Sequence, residues 1–196
     1  MPVNDALLDM QSHGAERLHR AVASDLAPLR AAFAHLPSDH AGIRIREVEG
    51  LASFLAPSGS IGEIAVRTLG QSKFAVRAIL FDKTERTNWS LGWHQDRTIC
   101  VERRVEVDNF GPWTIKDGMQ HVAPPSSLLS RMVTLRVHLD DVPASNAPLL
   151  IAPGSHNRGR VLVEAIDDVV RQCGTYACLA DAGDVWGYST PILHAS

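Results

Sequence analysis

Apolar residues recur at intervals of three and four in the first part of the chain. The series is Leu18, Val22, Leu26, Leu29, Phe33 and Leu36. This spacing places apolar side chains along one side of a helix. The pattern therefore predicts either one packing helix over residues 18–36 or two helices that meet near Pro28.

Two further helices are indicated downstream. Ser60-Ile61-Gly62-Glu63 has the form of a capping box, in which Ser and Glu side chains satisfy free backbone N–H groups at a helix start. Gly70 marks the end of this helix. Its apolar face comprises Ile61, Ile64, Ala65 and Leu69. A third helix is expected from Val161 to about Arg171.

From about residue 73 the periodicity changes from helical to alternating, which is typical of strands. The predicted strands are 74–81, 132–139, 149–151, 176–179 and 192–194. Turn sequences separate them at 146–148, 153–155 and 182–184. We therefore expect one mainly β domain over residues 1–196, an antiparallel sandwich or jelly roll (residues about 73–196) preceded by packing helices (about 1–72).

The strand over 132–139 has two unlike faces. Thr134, Arg136 and His138 lie on one face, and Val133, Leu135, Val137 and Leu139 lie on the other. The polar face either lines a cavity or faces solvent, and the pattern alone does not choose between these arrangements.

Charge and composition exclude several classes of function. The net charge is -3, and Arg103-Arg104 is the nearest approach to a basic cluster, so nucleic acid is not expected as a partner. Residues 1–5 do not begin a leader sequence, and no segment has the ~20 apolar residues of a membrane helix. We therefore expect a cytoplasmic protein without membrane contact. Three cysteines without metal-type spacing indicate reduced thiols.

A metal site is suggested by two distant segments. His94 and Asp96 are two positions apart, so on a strand both side chains point to the same face. With His194 they would form a 2-His-1-carboxylate set, which leaves coordination positions of iron open. A second His-x-Asp pair, His138-Leu139-Asp140, ends a strand before Val142-Pro143, and we interpret it as a structural turn.

Seven sequence blocks occur in an order that resembles the phytanoyl-CoA dioxygenase family of Fe(II)- and 2-oxoglutarate-dependent oxygenases. The blocks are Trp93-His94-Gln95-Asp96-Arg97, 113–118, Pro124-Pro125, 135–141, 153–156, Gly183-Asp184 and Leu193-His194-Ala195-Ser196. The resemblance implies a double-stranded β-helix, a jelly-roll fold. It also implies that His94, Asp96 and His194 bind Fe(II), and that Trp113 and Ser196 line a pocket for the co-substrate 2-oxoglutarate.

Three of the residues near these blocks also have simpler interpretations. Trp113 could be a core aromatic residue. His156 follows a turn, where local hydrogen bonding that shapes the loop is expected more than a substrate contact. His121 could touch substrate or 2-oxoglutarate, or it could face solvent.

The family resemblance also implies an arginine about ten residues beyond His194, which binds the distal carboxylate of 2-oxoglutarate. A buried carboxylate needs such a cationic partner. We expect that the chain is a fragment whose final strand, with this arginine, is missing. Otherwise Arg136 or Lys116 is the substitute, with Arg77 a weaker candidate.

The expected activity is hydroxylation of a small organic substrate, coupled to conversion of 2-oxoglutarate and dioxygen into succinate and carbon dioxide. Nothing in the sequence indicates a site for the phosphates of coenzyme A. The alternatives are a non-catalytic jelly-roll protein that binds a metal or small molecule, an inactive fragment of such an oxygenase, and a metalloenzyme that uses the same ligands without a 2-oxo acid. The substrate and the oligomeric state stay open.

Overall fold

The computed structural model describes residues 7–37, 40, 42–70, 73–82 and 90–196. The helices are α1 (Met10–His13), α2 (Leu26–Phe33), α3 (Leu51–Leu55), α4 (Ser60–Leu69), α5 (Ser126–Leu129) and α6 (Ile166–Cys173). The strands are β1 (Ala15–Leu18), β2 (Ile43–Ile45), β3 (Ala78–Leu80), β4 (Ile99–Val101), β5 (Trp113–Lys116), β6 (Met119–Val122), β7 (Val133–Val137), β8 (Leu149–Ile151), β9 (Tyr176–Cys178), β10 (Val185–Ser189) and β11 (His194–Ala195).

Two antiparallel sheets carry the central core. One has the strand order β1-β10-β7, and the other has the order β11-β8-β9. Trp186 and Tyr188 of β10 pack against Leu149, Ile151 and Cys178 of the second sheet. Burial of apolar side chains from both inner faces is what holds such a sandwich together.

Helices α2, α3 and α4 cover the outer face of the first sheet. Leu29 of α2 and Ile61 and Ile64 of α4 form a buried cluster with Val185 of β10. Leu135, Val137 and Leu139 also pack against this cluster. This is the arrangement of helices on one face of an antiparallel sheet that the sequence predicted.

The packing also decides between the two arrangements left open for the polar face of β7. Val137 is paired with Val185 and faces the helices, so Arg136 and its ladder partner Trp186 face the space between the sheets. His138, just beyond β7, is also buried. The polar face therefore points inward, and the solvent-facing alternative is wrong.

Two smaller sheets complete the described part of the chain. One pairs β2 with β3, and the other has the order β4-β6-β5. Arg44 of β2 forms an ion pair with Asp117 in the β5–β6 turn, at 2.5 Å. This contact ties the two small sheets together beside the segment that contains His94 and Asp96.

Several predicted elements have different bounds. The helix expected over 18–36 is shorter, because Leu18 ends β1 opposite Val185 and a 3-10 turn (Ala23–Asp25) precedes α2. Pro28 lies in the first turn of α2, where a missing N–H is tolerated. The strand expected over 74–81 is confined to β3, and Phe74 is 81% exposed.

The helix at Ser60 is confirmed, but its capping box is not formed. Gly59 occupies the N-cap position, the helix starts at Ser60, and no side chain caps it. Ile61 and Ile64 are buried and Gly70 follows the last turn, as predicted. The helix expected from Val161 begins as a 3-10 turn at Val163 and continues as α6.

None of the helices in the described ranges is long and apolar enough to cross a membrane. Residues 1–5, on which the prediction about a leader sequence rests, lie outside the described residues. The cysteines Cys100, Cys173 and Cys178 are free thiols, in agreement with the sequence-based expectation.

Candidate metal centre

The structure brings the three predicted metal ligands together. One potential ligand atom from each of His94, Asp96 and His194 lies within 4.8 Å of the other two. His94 and His194 form an isolated antiparallel bridge, with each backbone N–H donating to the other's carbonyl oxygen at 3.0 Å. The segment that carries His94 is thereby added to the edge of the β11-β8-β9 sheet. As a result, the two histidines lie on neighbouring, hydrogen-bonded segments of backbone.

Backbone carbonyls determine the tautomers of the two imidazoles. Nδ1 of His94 donates to the Gly92 carbonyl oxygen at 2.8 Å, and Nδ1 of His194 donates to the Ile192 carbonyl oxygen at 3.0 Å. A carbonyl only accepts hydrogen bonds, so the proton of each neutral ring lies on Nδ1. The lone pair of each Nε2 is then free to bind a metal.

The site is partly shielded from solvent. His194 is buried, and burial lowers its pKa, which favours the neutral form that binds metals. The ring centroids of His94 and His194 are 4.2 Å apart, and Tyr188 lies 5.7 Å from His194. Tyr188 therefore forms part of the wall next to the imidazoles.

The carboxylate of Asp96 is oriented by an arginine. Nη2 of Arg77 donates to Oδ2 of Asp96 at 3.2 Å, and both side chains are more than three-quarters buried. Groups that bond to a metal ligand set its orientation. Arg77 is thus engaged with a ligand, which argues against its candidacy as a free anchor for 2-oxoglutarate.

Gln95 lies between two ligands and points away from them. Its amide nitrogen donates to the carbonyl oxygens of Gly159 at 2.9 Å and Pro191 at 2.6 Å. Its amide oxygen accepts from the backbone N–H of Val161 at 2.9 Å. This buried side chain binds the His94–Asp96 segment to the chain that leads into His194.

A second set of hydrogen bonds positions the chain immediately before His194. The buried hydroxyl of Ser155 accepts a hydrogen bond from the backbone N–H of Leu193 at 2.9 Å, and the Ala152 N–H donates to the Leu193 carbonyl oxygen. The Pro153-Gly154-Ser155 turn thereby positions the residue that precedes the distal ligand.

The donor set fits Fe(II). Two imidazoles and one carboxylate on one side of an ion leave positions for other ligands, which is the arrangement of non-heme iron oxygenases. The free Nε2 lone pairs and the oriented carboxylate supply this set without any change in tautomer.

The residues predicted to hold 2-oxoglutarate lie in different places. Ser196 is two positions beyond His194 and exchanges backbone hydrogen bonds with Leu91. Trp113 is half-buried on β5, and its indole Nε1 is buried without a hydrogen-bond partner in the described part of the chain. Arg136 faces the space between the sheets, whereas Lys116 is half-buried on β5.

The second His-x-Asp pair is structural, as the sequence suggested. His138 is buried, and Asp140 is exposed and pairs with Arg30 at 3.0 Å. Among the described residues, neither belongs to a group able to hold a metal ion.

Another cluster, His19, Asp181 and Asp184, also has metal-like spacing. The Arg17 guanidinium binds both carboxylates, however, and the N–H groups of Arg20 and Asp181 donate to Asp184. The acceptor positions of Asp184 are therefore filled by protein donors, and we interpret this cluster as an ion-pair network that fixes β1 against β10.

The structure bears on the alternatives that the sequence left open for two other histidines. His121 is fully buried on β6, so the solvent-facing alternative is wrong. His156 lies against the backbone of Gly14, and its Nδ1 has no hydrogen-bond partner in the described part of the chain. It shapes the loop by packing and not by the local hydrogen bond that the sequence suggested.

The roles of Arg77, Gln95 and Ser155 in supporting the candidate ligands were not predicted from the sequence. All three support ligands through contacts between residues distant in sequence, and no local motif encodes such contacts. The position of Gln95 and Ser155 within motif blocks was the one available signal, and Arg77 lies in no block.

The sequence and the fold are both similar to known proteins. A family model described as Phytanoyl-CoA dioxygenase (PhyH) matches residues 52–196. No curated protein sequence matches the chain significantly.

Solved structures share the fold. SnoK, a non-heme alpha ketoglutarate dependent carbocyclase from nogalamycin biosynthesis, has a TM-score of 0.66 at 17% identity, over 95% of this chain and 74% of that chain. HygX from Streptomyces hygroscopicus, solved with nickel, 2-oxoglutarate and hygromycin B, has a TM-score of 0.54 at 15% identity, over 95% and 77%. EctD from S. alaskensis with bound Fe has a TM-score of 0.53 at 16% identity, over 100% and 73%. The predicted jelly-roll fold is confirmed.

Proposed function

Because this chain belongs to the phytanoyl-CoA dioxygenase family of Fe(II)- and 2-oxoglutarate-dependent oxygenases, we propose that His94, Asp96 and His194 bind its iron and that it hydroxylates a small organic molecule. The observation that carries the proposal is the convergence of three ligand atoms within 4.8 Å, with both histidines presenting a free Nε2. When bound there, Fe(II) and 2-oxoglutarate supply the activation of dioxygen.

The protein's own residues hold and orient the reacting groups. The carbonyls of Gly92 and Ile192 keep the imidazoles in the tautomer that binds metal, and Arg77 directs the Asp96 carboxylate. Trp186 and Tyr188 pack between the sheets and exclude water from one side of the site. Exclusion of water limits side reactions of a reactive centre.

For the distal carboxylate of 2-oxoglutarate, we infer that Arg136 is the better of the two candidates within the chain. Arg136 is paired with Trp186 between β7 and β10. The next pair on the same face is Thr134–Tyr188, and the ring centroids of Tyr188 and His194 are 5.7 Å apart. The guanidinium lies 5.6 Å from the Phe81 ring and forms no ion pair with a carboxylate of the described residues. An inward-facing cation of this kind favours an anionic ligand.

Trp113 and Ser196 are proposed as further contacts of 2-oxoglutarate. The buried, unpaired indole N–H of Trp113 is a donor available to a carboxylate. Ser196 shares the strand face of His194, because side chains two residues apart point the same way. Lys116 is retained as the alternative cation.

Metal binding tests the ligand assignment. The purified chain should bind one Fe(II), or Mn(II) as a surrogate, and His94→Ala, Asp96→Ala and His194→Ala should each lose most of this metal. His138→Ala, from the other His-x-Asp pair, is the matched control and should keep it. Metal lost in His138→Ala and kept in His94→Ala would contradict the assignment.

Co-substrate binding tests the activity and the anchor separately. Anaerobic titration of the Fe(II) protein with 2-oxoglutarate should produce the visible charge-transfer band of the chelate. Arg136→Ala should weaken this binding by about thirtyfold or more, since loss of a charge-assisted pair typically costs ~2–5 kcal/mol, and Lys116→Ala should not. Unchanged binding in Arg136→Ala would indicate a different cation, and Lys116 is the first alternative. No chelate band with metal bound would favour a non-catalytic binding protein.

A further inference from the structure

A cavity of about 240 Å³ adjoins the candidate metal centre. Asp96 lines it on one side, together with Gln95 and Pro191, the residues that tie the two ligand segments to each other. Pro124 and the loop that leads into α5 also line the cavity. The cavity therefore shares a wall with the metal site and does not overlap the space between the sheets where Arg136 lies.

Two guanidinium groups line this cavity. Arg97 is half-buried, and its Nη2 donates to the Val161 carbonyl oxygen at 2.7 Å. Arg160 is exposed and forms no hydrogen bond or ion pair with the described residues. Asp96 is the one carboxylate among the lining residues, and it is already engaged by Arg77. The lining thus has an excess of positive charge.

The remaining wall is mostly apolar. Leu129 and Pro124 are buried, and Ala123, Pro125 and Pro191 continue the same surface. The side chains of Asn109 and Ser126 supply additional hydrogen-bonding groups at the rim. Ligand pockets of drug-sized molecules measure about 300–1,000 Å³, so this cavity suits a smaller ligand or one end of a longer ligand.

We propose that the substrate of this enzyme carries an anionic head group, a carboxylate or a phosphate, on a short apolar body, and that Arg160 and Arg97 bind the head group. The proposal rests on the proposed function, because it assigns the cavity beside Asp96 to the substrate. Guanidinium groups match the planar geometry of both carboxylate and phosphate oxygens. Of the two arginines, Arg160 is free to turn toward a ligand, and Arg97 adds a fixed positive charge.

The experiment uses three probes with similar carbon skeletons: hexanoate, hexyl phosphate and hexanamide. Their affinities for the full chain, without metal, are measured by ligand-observed NMR. Both anionic probes, or one of them, should bind more tightly than hexanamide, and the tighter anion identifies the head group. Arg160→Ala should reduce the affinity for the anions by roughly fivefold, in line with about 1 kcal/mol for an exposed charge pair, and leave hexanamide unchanged.

Arg158→Ala is the matched control, since Arg158 is an exposed arginine two residues away that does not line the cavity. An equal loss of anion affinity in Arg158→Ala would overturn the proposal, because it would show general attraction to basic surface. Hexanamide binding as tightly as both anions would overturn it as well.

The place of binding is tested with Mn(II) and saturating 2-oxoglutarate. Mn(II) should broaden the proton resonances of the anionic probe, and the broadening should persist when 2-oxoglutarate is added. Displacement of the probe by 2-oxoglutarate would overturn the proposal, since the probe would then occupy the co-substrate site. If the chelate of Fe(II) and 2-oxoglutarate forms normally but no anion preference exists, this inference fails while the proposed function stands. If the anions bind but the three ligand variants retain metal, the proposed function fails instead.

Discussion

The side-chain amide of Gln95 donates a hydrogen bond to the backbone carbonyl oxygen of Pro191 over 2.6 Å, and so joins the two segments that carry the proposed metal ligands. Gln95 makes two further bonds, to Gly159 and Val161. A buried amide with three partners fixes the chain around it more firmly than any single contact would.

Gln95→Glu should therefore loosen the site. The carboxylate can still accept from Val161, but it cannot donate to either carbonyl. We expect a loss of about 2 kcal/mol in the free energy of unfolding and roughly tenfold weaker metal binding. Urea denaturation and Mn(II) titration measure these quantities. Gln172→Glu, an exposed position on α6, is the control, and equal effects in both variants would contradict the prediction.

Arg77 is predicted to act on the metal through Asp96. If orientation of the carboxylate dominates, Arg77→Met should weaken Mn(II) binding by about tenfold, and Arg77→Lys should be affected less. If repulsion between the guanidinium and the ion dominates, Arg77→Met should bind Mn(II) more tightly. We expect the first result, because the 3.2 Å contact to Oδ2 is largely shielded from water.

Trp113 is predicted to contribute a hydrogen-bond donor to the 2-oxoglutarate pocket. Trp113→Phe keeps an aromatic ring but removes the buried, unpaired N–H, so 2-oxoglutarate should bind about tenfold more weakly while metal content is unchanged. The charge-transfer titration measures the affinity. Ile115→Ala, at a 67% exposed position on the same strand, should have no effect. Loss of metal together with 2-oxoglutarate would make Trp113 a core residue.

His138 should destabilise the protein as the pH falls. Burial, with a smaller contribution from the positive charge of Arg136, lowers the pKa of His138 to about 4, whereas an unfolded histidine titrates near 6.5. Between these values the unfolded chain binds a proton that the folded chain does not, so the free energy of unfolding should fall by about 1 kcal/mol per pH unit. His138→Gln should remove this part of the slope. Urea curves from pH 4 to 7.5 test this, with exposed His35→Gln as the control; parallel slopes for wild type and His138→Gln would contradict it.

Asp184 should contribute in the opposite range of pH. Burial alone would raise the pKa of its carboxyl, but the N–H groups of Arg20 and Asp181 and the guanidinium of Arg17 outweigh burial and hold the pKa below its usual value. This stability is fully present above about pH 4, the pKa of an unfolded aspartate, and is lost as the pH falls through the folded pKa. Asp184→Asn should cost about 2 kcal/mol at pH 7 and progressively less below pH 4.

The exposed neighbour Asp181 also contacts Arg17 and provides the comparison. Asp181→Asn should cost no more than about 0.5 kcal/mol, because its charge stays in water. A similar cost for both variants at pH 7 would show that burial is not what makes the Asp184 pair important.

The features that local periodicity encodes were predictable. Helix α4 and strand β7 each show a regular apolar pattern, and both occur where that pattern placed them. The spacing of His94 and Asp96 likewise predicted a shared face. These signals depend on neighbours in sequence, which is why one chain was enough to find them.

Elements defined by tertiary pairing were missed. β1 contains Glu16 and Arg17 and resembles no strand by composition, but it is held by its four-residue register with β10. β10 itself contains Gly187, which lowered its strand signal. The pairing of Gln95 with Pro191 is equally non-local. Such contacts arise from the arrangement of the sheets and leave no periodic trace.

The bridge joins His94 to His194, two positions that are 100 residues apart in the sequence. Closing a flexible loop of that length has an entropic cost of about 4 kcal/mol in the unfolded chain. An ion held by both histidines binds only after closure and adds about 2.7 kcal/mol when its concentration is one hundred times the dissociation constant. Iron supply in the cell would then set the fraction of molecules in which this edge of the sheet opens. When iron is scarce, this edge would open more often, and proteases would degrade the opened molecules. The abundance of the protein would then fall.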